Sequence, residues 1–326
     1  MAGQARAFWV RRPGVGAIHR VDLAAPGPDD VVVRASRSGV SRGTERLVFR
    51  GRVPVSQYAA MRAPFQEGEF PGPVKYGYLS VGVVEHGPGD LLGQRVFCLH
   101  PHQTRYVVPA SAVVLVPDDV PEDRAVLAGT METAVNALWD AAPLVGDRVT
   151  VVGAGMVGCC VSRLLARMPG VRVTVVDVDP DRAATVTAMG ARFATPQTAE
   201  PDQDVVIHAS STAEGLQLAL DLLAAEGEVI ELSWYGDAEV PLRLGGSFHS
   251  RRLAIRASQV GTVSPRRAGR SHRYRLELAL ELLRDPVLDR LISGRTAFDE
   301  LPERMPHLVD GPSGGLCHVV TYEDEE

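Results

Sequence analysis

The stretch Arg148-Val149-Thr150-Val151-Val152-Gly153-Ala154-Gly155-Met156-Val157-Gly158 decides the fold of this chain. A short β-branched run leads into three glycines with the spacing GxGxxG, and an apolar helix through Leu164-Leu165-Ala166 follows. Gly153 permits a tight turn, Gly155 lets the backbone approach a phosphate, and Gly158 lets helix and strand pack closely. Because the positive end of the helix faces this turn, the stretch predicts a strand, a phosphate-binding turn and a helix.

A carboxylate follows the next apolar run at the distance that a dinucleotide site needs. Residues 171–176 form that run, and Asp177 stands nineteen positions after Gly158. Such a carboxylate accepts hydrogen bonds from both hydroxyls of a ribose and repels a 2′-phosphate. We therefore predict NAD as the cofactor, although Arg182 nearby would suit the 2′-phosphate of NADP. The alternative is a glycine-tolerant turn beside a capping aspartate.

Two different patterns divide the chain. Up to about residue 120, short β-branched runs between Pro and Gly are typical of an antiparallel β lobe; they lie at 31–35, 81–84, 95–98 and 113–116. After Pro121, a helical segment at 125–141 precedes apolar runs that alternate with helices, at 149–152, 171–176, 205–207 and 229–232. Strands buried on both faces have this pattern, so we predict an α/β fold with a doubly wound parallel sheet and a β-rich domain. A helix at 273–283 and a strand at 317–321 complete the prediction.

The composition favours a small-molecule ligand. With 326 residues and a mass of 35.0 kDa, the chain is long enough for two lobes. The net charge of −6 and the pI near 5.9 repel polyanions, so we expect neither nucleic acid nor an anionic membrane surface as a partner. None of the four cysteines has CxxC spacing, and no apolar stretch reaches the ~20 residues of a membrane span. We therefore expect a reducing, cytoplasmic setting.

Further stretches carry a family resemblance together with the glycine motif. They are Ser38-Gly39-Val40-Ser41-Arg42-Gly43-Thr44-Glu45, Gly77-Tyr78-Leu79-Ser80-Val81-Gly82-Val83-Val84, Gly93-Gln94-Arg95-Val96-Phe97, His208-Ala209-Ser210-Ser211 and Leu232-Ser233-Trp234-Tyr235. In these motifs the chain resembles the medium-chain dehydrogenase/reductase superfamily, of the zinc alcohol dehydrogenase type, over essentially its whole length. The SxGTE and GYxxxGVV patterns look most like the branch that contains bacteriochlorophyllide a dehydrogenase.

This resemblance implies a domain order and an assembly. It predicts a GroES-like β-rich catalytic domain over 1–123, a Rossmann NAD-binding domain over 124–262, and a C-terminal return to the catalytic domain over 263–326. It also implies an oxidoreductase that forms a homodimer through edge strands of the nucleotide domain, near 253–260.

The positions that hold zinc in such relatives carry other residues here. The ligand cysteine falls on Ser41 or Arg42, and the GHE triplet is Gly77-Tyr78-Leu79. The third ligand position, counted back from Gly146-Asp147-Arg148-Val149, is Gly129. Catalytic zinc is held by thiolate and imidazole groups, and none of these positions supplies one. The four-cysteine loop of a structural zinc is also missing, so we predict neither metal.

The resemblance also indicates where the chemistry would occur. The candidate catalytic residues are Tyr78, His100, Thr44 and Glu132. Tyr78 replaces a zinc ligand, His100 lies where relatives line the substrate pocket, and Thr44 matches a proton-relaying hydroxyl, whereas Glu132 begins the helix leading toward the nicotinamide. Each has a structural alternative: Tyr78 and His100 as packed pocket residues, Thr44 as a turn cap, and Glu132 as an ordinary helix-start carboxylate.

Other residues complete the predicted site. Cofactor contacts are expected from Met156, Val157, Thr133, Ser210 and Ser233, and substrate contacts from Ser41, His102, Trp234 and Arg251. Arg251 belongs to a run of eight arginines between residues 251 and 275, which is more typical of a solvated face than of an anion site. Cys98, His100 and His102 alternate as metal ligands on a strand would, but Pro101 interrupts the run and we expect no metal there.

Together these features favour an NAD(H)-dependent, zinc-independent oxidoreductase. We expect it to interconvert a secondary alcohol and a ketone on a polar, cyclic or polyol-like substrate. One alternative is a reductase of a C=C bond conjugated to a carbonyl, and another is a nucleotide-binding protein without catalysis.

Overall fold

The computed structural model describes residues 3–311 and 315–323, and within these residues the strands pair into three sheets. The chain divides into two units. Unit 1 comprises Met1–Gly129, Leu280–Arg284 and Ile292–Glu326, and unit 2 comprises Thr130–Ala279 and Asp285–Leu291. The strands are β1 Gln4–Arg12, β2 Val15–Asp22, β3 Asp30–Val40, β4 Glu67–Gly68, β5 Val74–Lys75, β6 Ser80–His86, β7 Arg95–Cys98, β8 Arg105–Pro109, β9 Val113–Leu115, β10 Arg148–Val152, β11 Arg172–Val176, β12 Arg192–Ala194, β13 Gln203–His208, β14 Leu223–Glu231, β15 Ala254–Ala257, β16 Ile292–Ala297 and β17 Cys317–Thr321. The helices are α1 Arg42–Phe49, α2 Glu122–Ala125, α3 Ala128–Ala141, α4 Met156–Leu165, α5 Ala183–Ala188, α6 Ala213–Asp221, α7 Ser247–Ser250, α8 His272–Leu282 and α9 Leu301–Asp310.

Unit 1 is built from the two sheets of the β lobe. One has the strand order β2-β1-β5-β4, and the other the order β16-β17-β3-β6-β7-β9, with β8 also paired to β3. Within β3, Val31, Val33 and Ala35 are buried while Arg34 between them reaches Glu85, as the two-residue period of a strand requires. The alternation therefore places one face of β3 in the core of unit 1.

Unit 2 contains a six-stranded parallel sheet in the order β12-β11-β10-β13-β14-β15. Its central strand β10 pairs with β11 on one side and β13 on the other, so that Val151 lies between Val175 and Ile207. All three side chains are fully buried, which explains why these strands read as continuous apolar runs. The strand order reverses between β10 and β13, and ligands of such sheets bind at the carboxyl ends of the strands flanking this point.

The unit boundaries differ from the predicted limits at 123 and 262. Val126 packs near Gly39, and Gly129 lies against Leu79, so the segment up to residue 129 belongs with unit 1. Arg275 of α8 forms a buried ion pair with Glu132, which keeps the start of α8 in unit 2.

Several elements differ from the sequence prediction. The helix predicted at 125–141 is interrupted after Ala125, where the N–H of Leu127 bonds three residues back to the carbonyl of Arg124. The hairpin of β1 and β2 was not predicted, because none of the residues of β2 is fully buried and they lack an apolar alternation. Among the described residues, no helix is both long and apolar enough to cross a membrane.

Candidate active site and dinucleotide site

The glycine turn between β10 and α4 has the backbone that a phosphate needs. Gly153 has φ +109°, and a Cβ there would lie 2.8 Å from the amide nitrogen of Ser210. A Cβ on Gly158 would lie 1.9 Å from the carbonyl oxygen of Gly153, so the helix can follow the turn only with glycine at that position. Gly155, the N-cap residue of α4, faces open space and brings no side chain to the first N–H groups of the helix. The cradle therefore fits a pyrophosphate held by backbone N–H groups at a helix N-terminus.

Asp177 lies directly beside this turn. One carboxylate oxygen accepts a hydrogen bond from the N–H of Ala154 at 2.6 Å, and the other accepts from the N–H of Asp179 at 2.9 Å. Each oxygen keeps a second lone pair, so the carboxylate can still accept hydrogen bonds from ribose hydroxyls. Arg182, the cation that would favour a 2′-phosphate, is paired with the carboxylate of Asp179 at 3.4 Å.

The other predicted cofactor residues divide into two groups. Met156 and Val157 lie in the first turn of α4, and Ser210 and Ser233 lie just beyond the carboxyl ends of β13 and β14. These four belong to the same edge of the parallel sheet. Thr133 lies half-buried on α3.

In unit 1, a pair of hydroxyl groups occupies two of the positions that the resemblance assigns to zinc ligands. The Tyr78 hydroxyl donates a hydrogen bond to the Ser41 Oγ at 2.6 Å. Burial raises the pKa of Tyr78, hydrogen bonds to Ser41 and Thr44 oppose the rise, and the charge of Glu45 adds to it. Tyr78 therefore keeps its proton at neutral pH and acts as a donor. Because Ser41 accepts this hydrogen bond, its own O–H can donate to another acceptor.

Glu45 and His102 lie behind this hydroxyl pair. Glu45 accepts a hydrogen bond from the N–H of Ser41 at 2.7 Å and contacts Nε2 of His102 at 3.0 Å. The Nδ1 of His102 is 2.7 Å from the Ser38 hydroxyl, which in turn lies 2.8 Å from the hydroxyl of Tyr322. With both ring nitrogens engaged and its side chain 1% exposed, His102 is not available as the predicted substrate contact. It supports Ser41 through Glu45 instead.

His100 is held in an aromatic stack. Its ring lies 3.8 Å from that of Tyr106 at an interplanar angle of 8°, and Phe65 stacks near it at 5.5 Å. The Nδ1 is 3.0 Å from the carbonyl oxygen of Pro101. Burial, aided by the charge of Lys75, lowers the pKa of His100 to about 3. The imidazole is therefore neutral at neutral pH and a weaker base than an ordinary histidine, and the proton-transfer role of His100 stays a prediction.

The donor groups at the zinc positions do not fit zinc. Tyr78 and Ser41 bond to each other, and Arg42 donates to the backbone carbonyls of Val309 and Gly311. At Gly129 a Cβ would lie 2.6 Å from the Leu79 side chain, so that position has no room for a ligand side chain. Over residues 3–311 and 315–323, no group of three or more His, Cys, Asp or Glu side chains is arranged to hold a metal ion.

Two further predicted residues take part in other interactions. Glu132 pairs with Arg275 at 3.0 Å, and both are almost fully buried; Arg275 also donates to the carbonyls of Val260 and Thr262. Burial raises the pKa of Glu132 although Arg275 opposes the rise. This ion pair anchors the segment after β15, so Glu132 is a structural partner of Arg275 and not the helix-start carboxylate of the alternative.

Arg251 and Trp234 lie at opposite edges of the parallel sheet. Arg251 donates to the carbonyl of Leu223, the first residue of β14, and lies near Asp202, which precedes β13. It therefore sits at the amino ends of these strands, away from the glycine turn, and the predicted substrate contact is not supported. Trp234 follows β14 at the carboxyl edge and is half-buried.

A buried polar array at this carboxyl edge was not assigned from the sequence. It joins Ser210, His208 and Glu231, with Tyr235 and Ser233 bonded to the carboxylate. A signal was present, because His208 directly follows the apolar run 205–207 and Glu231 follows the apolar pair at 229–230. A polar side chain in that position must find a partner when buried.

Comparisons with known proteins agree with this architecture. An L-threonine 3-dehydrogenase from Rhizobium rhizogenes is 30% identical over 118 residues, and the match spans only 34% of that protein and 36% of this chain. The 2-desacetyl-2-hydroxyethyl bacteriochlorophyllide A dehydrogenase of Cereibacter sphaeroides is 28% identical over 67% of this chain and 70% of its own length. No family model matches the chain.

Solved structures share the fold over almost the whole chain. L-idonate 5-dehydrogenase from Escherichia coli superposes with a TM-score of 0.80 at 16% identity, covering 98% of this chain and 99% of that one. An Escherichia coli alcohol dehydrogenase complexed with NADH gives a TM-score of 0.77 at 15% identity, with 98% and 99% covered. A Sinorhizobium meliloti zinc-binding dehydrogenase bound to NADP gives 0.78 at 18%, again with 98% and 99% covered.

In sequence the chain is similar to alcohol dehydrogenase-like proteins, and it shares the fold of the medium-chain dehydrogenases. The predicted fold, a parallel nucleotide-binding sheet with a separate β-rich domain, is confirmed. Its relatives include the bacteriochlorophyllide dehydrogenase whose motifs the sequence resembles.

The buried neutral His100 has a consequence for acid stability. Its pKa in the folded chain, about 3, lies below the ordinary value of 6.5, so the unfolded chain takes up a proton that the folded chain does not. The free energy of unfolding should therefore fall as the pH drops below 6.5, by about 1.4 kcal/mol per pH unit from this residue. Urea unfolding at pH 7 and pH 5 should show a smaller loss of stability for His100→Gln than for the wild type.

The matched control is the exposed His19. His19→Gln should retain the wild-type pH dependence. Equal losses in His100→Gln and the wild type would contradict the assignment of a neutral buried imidazole.

Replacing Asp177 should weaken NADH binding. A hydrogen bond to a charged group contributes about 1.5–3 kcal/mol, so Asp177→Ala should raise the dissociation constant for NADH by roughly 10- to 100-fold and narrow the preference over NADPH. Fluorescence titration with both nucleotides measures this. The exposed Asp181, changed to Asn, is the control and should leave both constants unchanged. An unaltered preference in Asp177→Ala would mean that the ribose is bound elsewhere.

Proposed function

We propose that this chain is an NAD(H)-dependent, zinc-independent oxidoreductase that interconverts a secondary alcohol and a ketone on a polar substrate. The observation that carries the proposal is the hydrogen bond from Tyr78 to Ser41 at positions where the resemblance expects zinc ligands. The relatives named as dehydrogenases support the reaction class, and neighbours in fold that hold NADH or NADP support a nicotinamide cofactor.

The nucleotide would be held by unit 2. Backbone N–H groups at Gly155 and the start of α4 would bind the pyrophosphate, and Asp177 would accept the ribose hydroxyls. The bound nicotinamide supplies or accepts the hydride. Because the Asp177 carboxylate repels a 2′-phosphate and Arg182 is engaged by Asp179, we propose NAD over NADP.

Unit 1 would supply polarisation of the substrate oxygen in place of a metal. Tyr78 donates to Ser41, which leaves the O–H of Ser41 free to donate to a carbonyl oxygen. A chain of two aligned hydroxyl donors polarises that oxygen more strongly than a single one, since hydrogen bonds in series reinforce each other. The Glu45 carboxylate accepts a hydrogen bond from the N–H of Ser41 and so holds that backbone in place. Its other oxygen contacts Nε2 of His102, which holds Glu45 in turn. Hydroxyl donors of this kind suit the oxygen of an alcohol or ketone.

Activity assays with a substrate panel test the proposal. The purified chain, analysed first for zinc content, should contain less than stoichiometric zinc and should oxidise NADH in the presence of polar ketones. Loss of NADH absorbance with ketones, and its gain with the matching alcohols and NAD, is the expected result. Turnover of conjugated enones alone would favour the C=C reductase, and one zinc per chain would overturn the metal-free mechanism.

The Tyr78 hydroxyl should be required for turnover. Tyr78→Phe removes the donor to Ser41 while keeping the ring, so kcat with the best ketone should fall by about 10²-fold, as for the loss of one donor to a developing oxyanion. The dissociation constant for NADH should stay within twofold of the wild type. Tyr58→Phe, which changes a half-buried tyrosine just after a 3₁₀ turn of the same unit, serves as the control. Full activity in Tyr78→Phe would remove Tyr78 from the mechanism.

We also propose that two copies pair along β15. This strand is the edge of the parallel sheet, and its residues Ala254, Ile255 and Ala257 are exposed. An exposed strand edge offers unpaired backbone groups to a second copy. Sedimentation equilibrium should give a mass near twice 35.0 kDa, and Ile255→Pro should shift the mass to that of one chain. A monomeric wild type would contradict the proposal.

A further inference from the structure

Three side chains at the carboxyl edge of the parallel sheet form a continuous hydrogen-bonded array. Nδ1 of His208 is 2.7 Å from Oε2 of Glu231, and Nε2 of His208 is 2.6 Å from the hydroxyl of Ser210. His208 ends β13 and Glu231 ends β14, and the two residues are direct register partners. The array therefore follows from the sheet itself, because parallel strands bring their carboxyl ends to the same edge.

The carboxylate end of the array is buried and charged. Glu231 accepts hydrogen bonds from the N–H of Ser233 at 2.6 Å and from the hydroxyl of Tyr235 at 3.0 Å. Burial acts to raise the pKa of Glu231, but the hydrogen bonds from His208 and Ser233 outweigh it and hold the pKa below its usual value. A carboxylate only accepts hydrogen bonds, so Nδ1 of His208 must carry the proton it donates. In the neutral ring, Nε2 is then the acceptor for the O–H of Ser210.

The ring of His208 is enclosed by neighbouring side chains and backbone. The titratable groups placed against its fully buried ring are Glu231 and Tyr235, and the neighbour from α6 is Gly215. A Cβ at Gly215 would lie 2.8 Å from Nε2 of His208 and 2.2 Å from the hydroxyl of Ser210. Glycine therefore preserves the space in which Ser210 meets the imidazole.

The serine end of the array is open. Ser210 is half-buried, and its hydroxyl is 2.9 Å from that of Thr212, which is exposed. The amide nitrogen of Ser210 lies against Gly153 in the glycine turn. The hydroxyl of Ser210 thus joins a buried base to the surface, at the edge of the sheet where the dinucleotide would bind.

We propose that Ser210, His208 and Glu231 form a proton relay, called the Ser210 relay, that takes up and returns the proton of a ligand hydroxyl bound at the carboxyl edge of the parallel sheet. The proposal rests on the proposed oxidoreductase function, whose reaction releases such a proton. Oxidation of a secondary alcohol releases a hydride from carbon and a proton from oxygen. The hydride carries the electron pair of the C–H bond to the nicotinamide, and the O–H electron pair becomes the second bond of the carbonyl group. The proton still needs an acceptor.

The relay supplies an acceptor for that proton. As Ser210 Oγ takes the proton of a ligand hydroxyl, the proton of Ser210 passes to Nε2 of His208. The resulting imidazolium is stabilised by the adjacent Glu231 carboxylate. The proton then returns through Ser210 to Thr212 and to water. In the direction of ketone reduction the same steps run in reverse.

The test compares His208→Gln and Ser210→Ala with the wild type. Both variants should lower kcat for the best substrate of the panel by about 100-fold, since a positioned acid or base contributes 10²-fold or more. The pH profile of kcat between pH 5 and pH 9 should also differ from that of the wild type in both variants. Ser211→Ala, an exposed serine next to the array, should match the wild type in kcat and in pH profile.

A second readout needs no substrate. Calorimetric titration with NADH in two buffers of different ionisation heat counts the protons that binding takes up or releases. If NADH binding takes up or releases protons in the wild type but not in His208→Gln, the relay is supported and its ligand is a hydroxyl of the cofactor. A change seen only in turnover supports it with the substrate hydroxyl as the ligand.

The outcomes separate the relay from the proposed function. If the wild type binds NADH and turns over a substrate, but His208→Gln and Ser210→Ala keep its pH profile, the relay is wrong and the proposed function stands. A loss of thermal stability with an unchanged pH profile would likewise mean that the array is only structural. If the wild type neither binds NADH nor turns over any substrate, the proposed function fails and the relay fails with it.

Discussion

A buried carboxylate must find a donor, and this constraint organises both units of the chain. Glu45 meets His102 and the N–H of Ser41, Glu132 meets Arg275, and Glu231 meets His208. Removing one partner would leave a buried charge uncompensated, which costs about 3–5 kcal/mol. Because so few arrangements satisfy each carboxylate, each one fixes the residues around it.

The three carboxylates have different consequences. Glu132 holds the segment after β15 through Arg275, and its role is structural. Glu45 and Glu231 each support a hydroxyl group that reaches toward the surface, Ser41 in unit 1 and Ser210 in unit 2. In both cases a histidine lies against the carboxylate. These two hydroxyls are the groups that we propose for polarisation of the substrate oxygen and for proton transfer.

The sequence predicted correctly those features of the structure that depend on residues close together in the chain. The glycine spacing specified the turn, because a Cβ on Gly158 would collide with the carbonyl of Gly153. The apolar runs of the parallel sheet were recognised because both of their faces are buried. By contrast, His100 and His102 were interpreted as groups of the pocket from their position, and the structure shows one stacked on Tyr106 and the other bonded to Glu45 and Ser38.

The sequence by itself determined the fold and the dinucleotide turn, since strand burial, glycine spacing and the following Asp177 depend on residues close together in the chain. Only the tertiary structure decided the partners of the buried polar groups. Glu45 and His102 are 57 positions apart, and Glu132 and Arg275 are 143 apart. Even Glu231 and His208, 23 apart, meet only because β13 and β14 pair in a particular register. The residue type determines what kind of hydrogen-bond partner a buried side chain needs, but the packing of distant elements determines which residue becomes that partner.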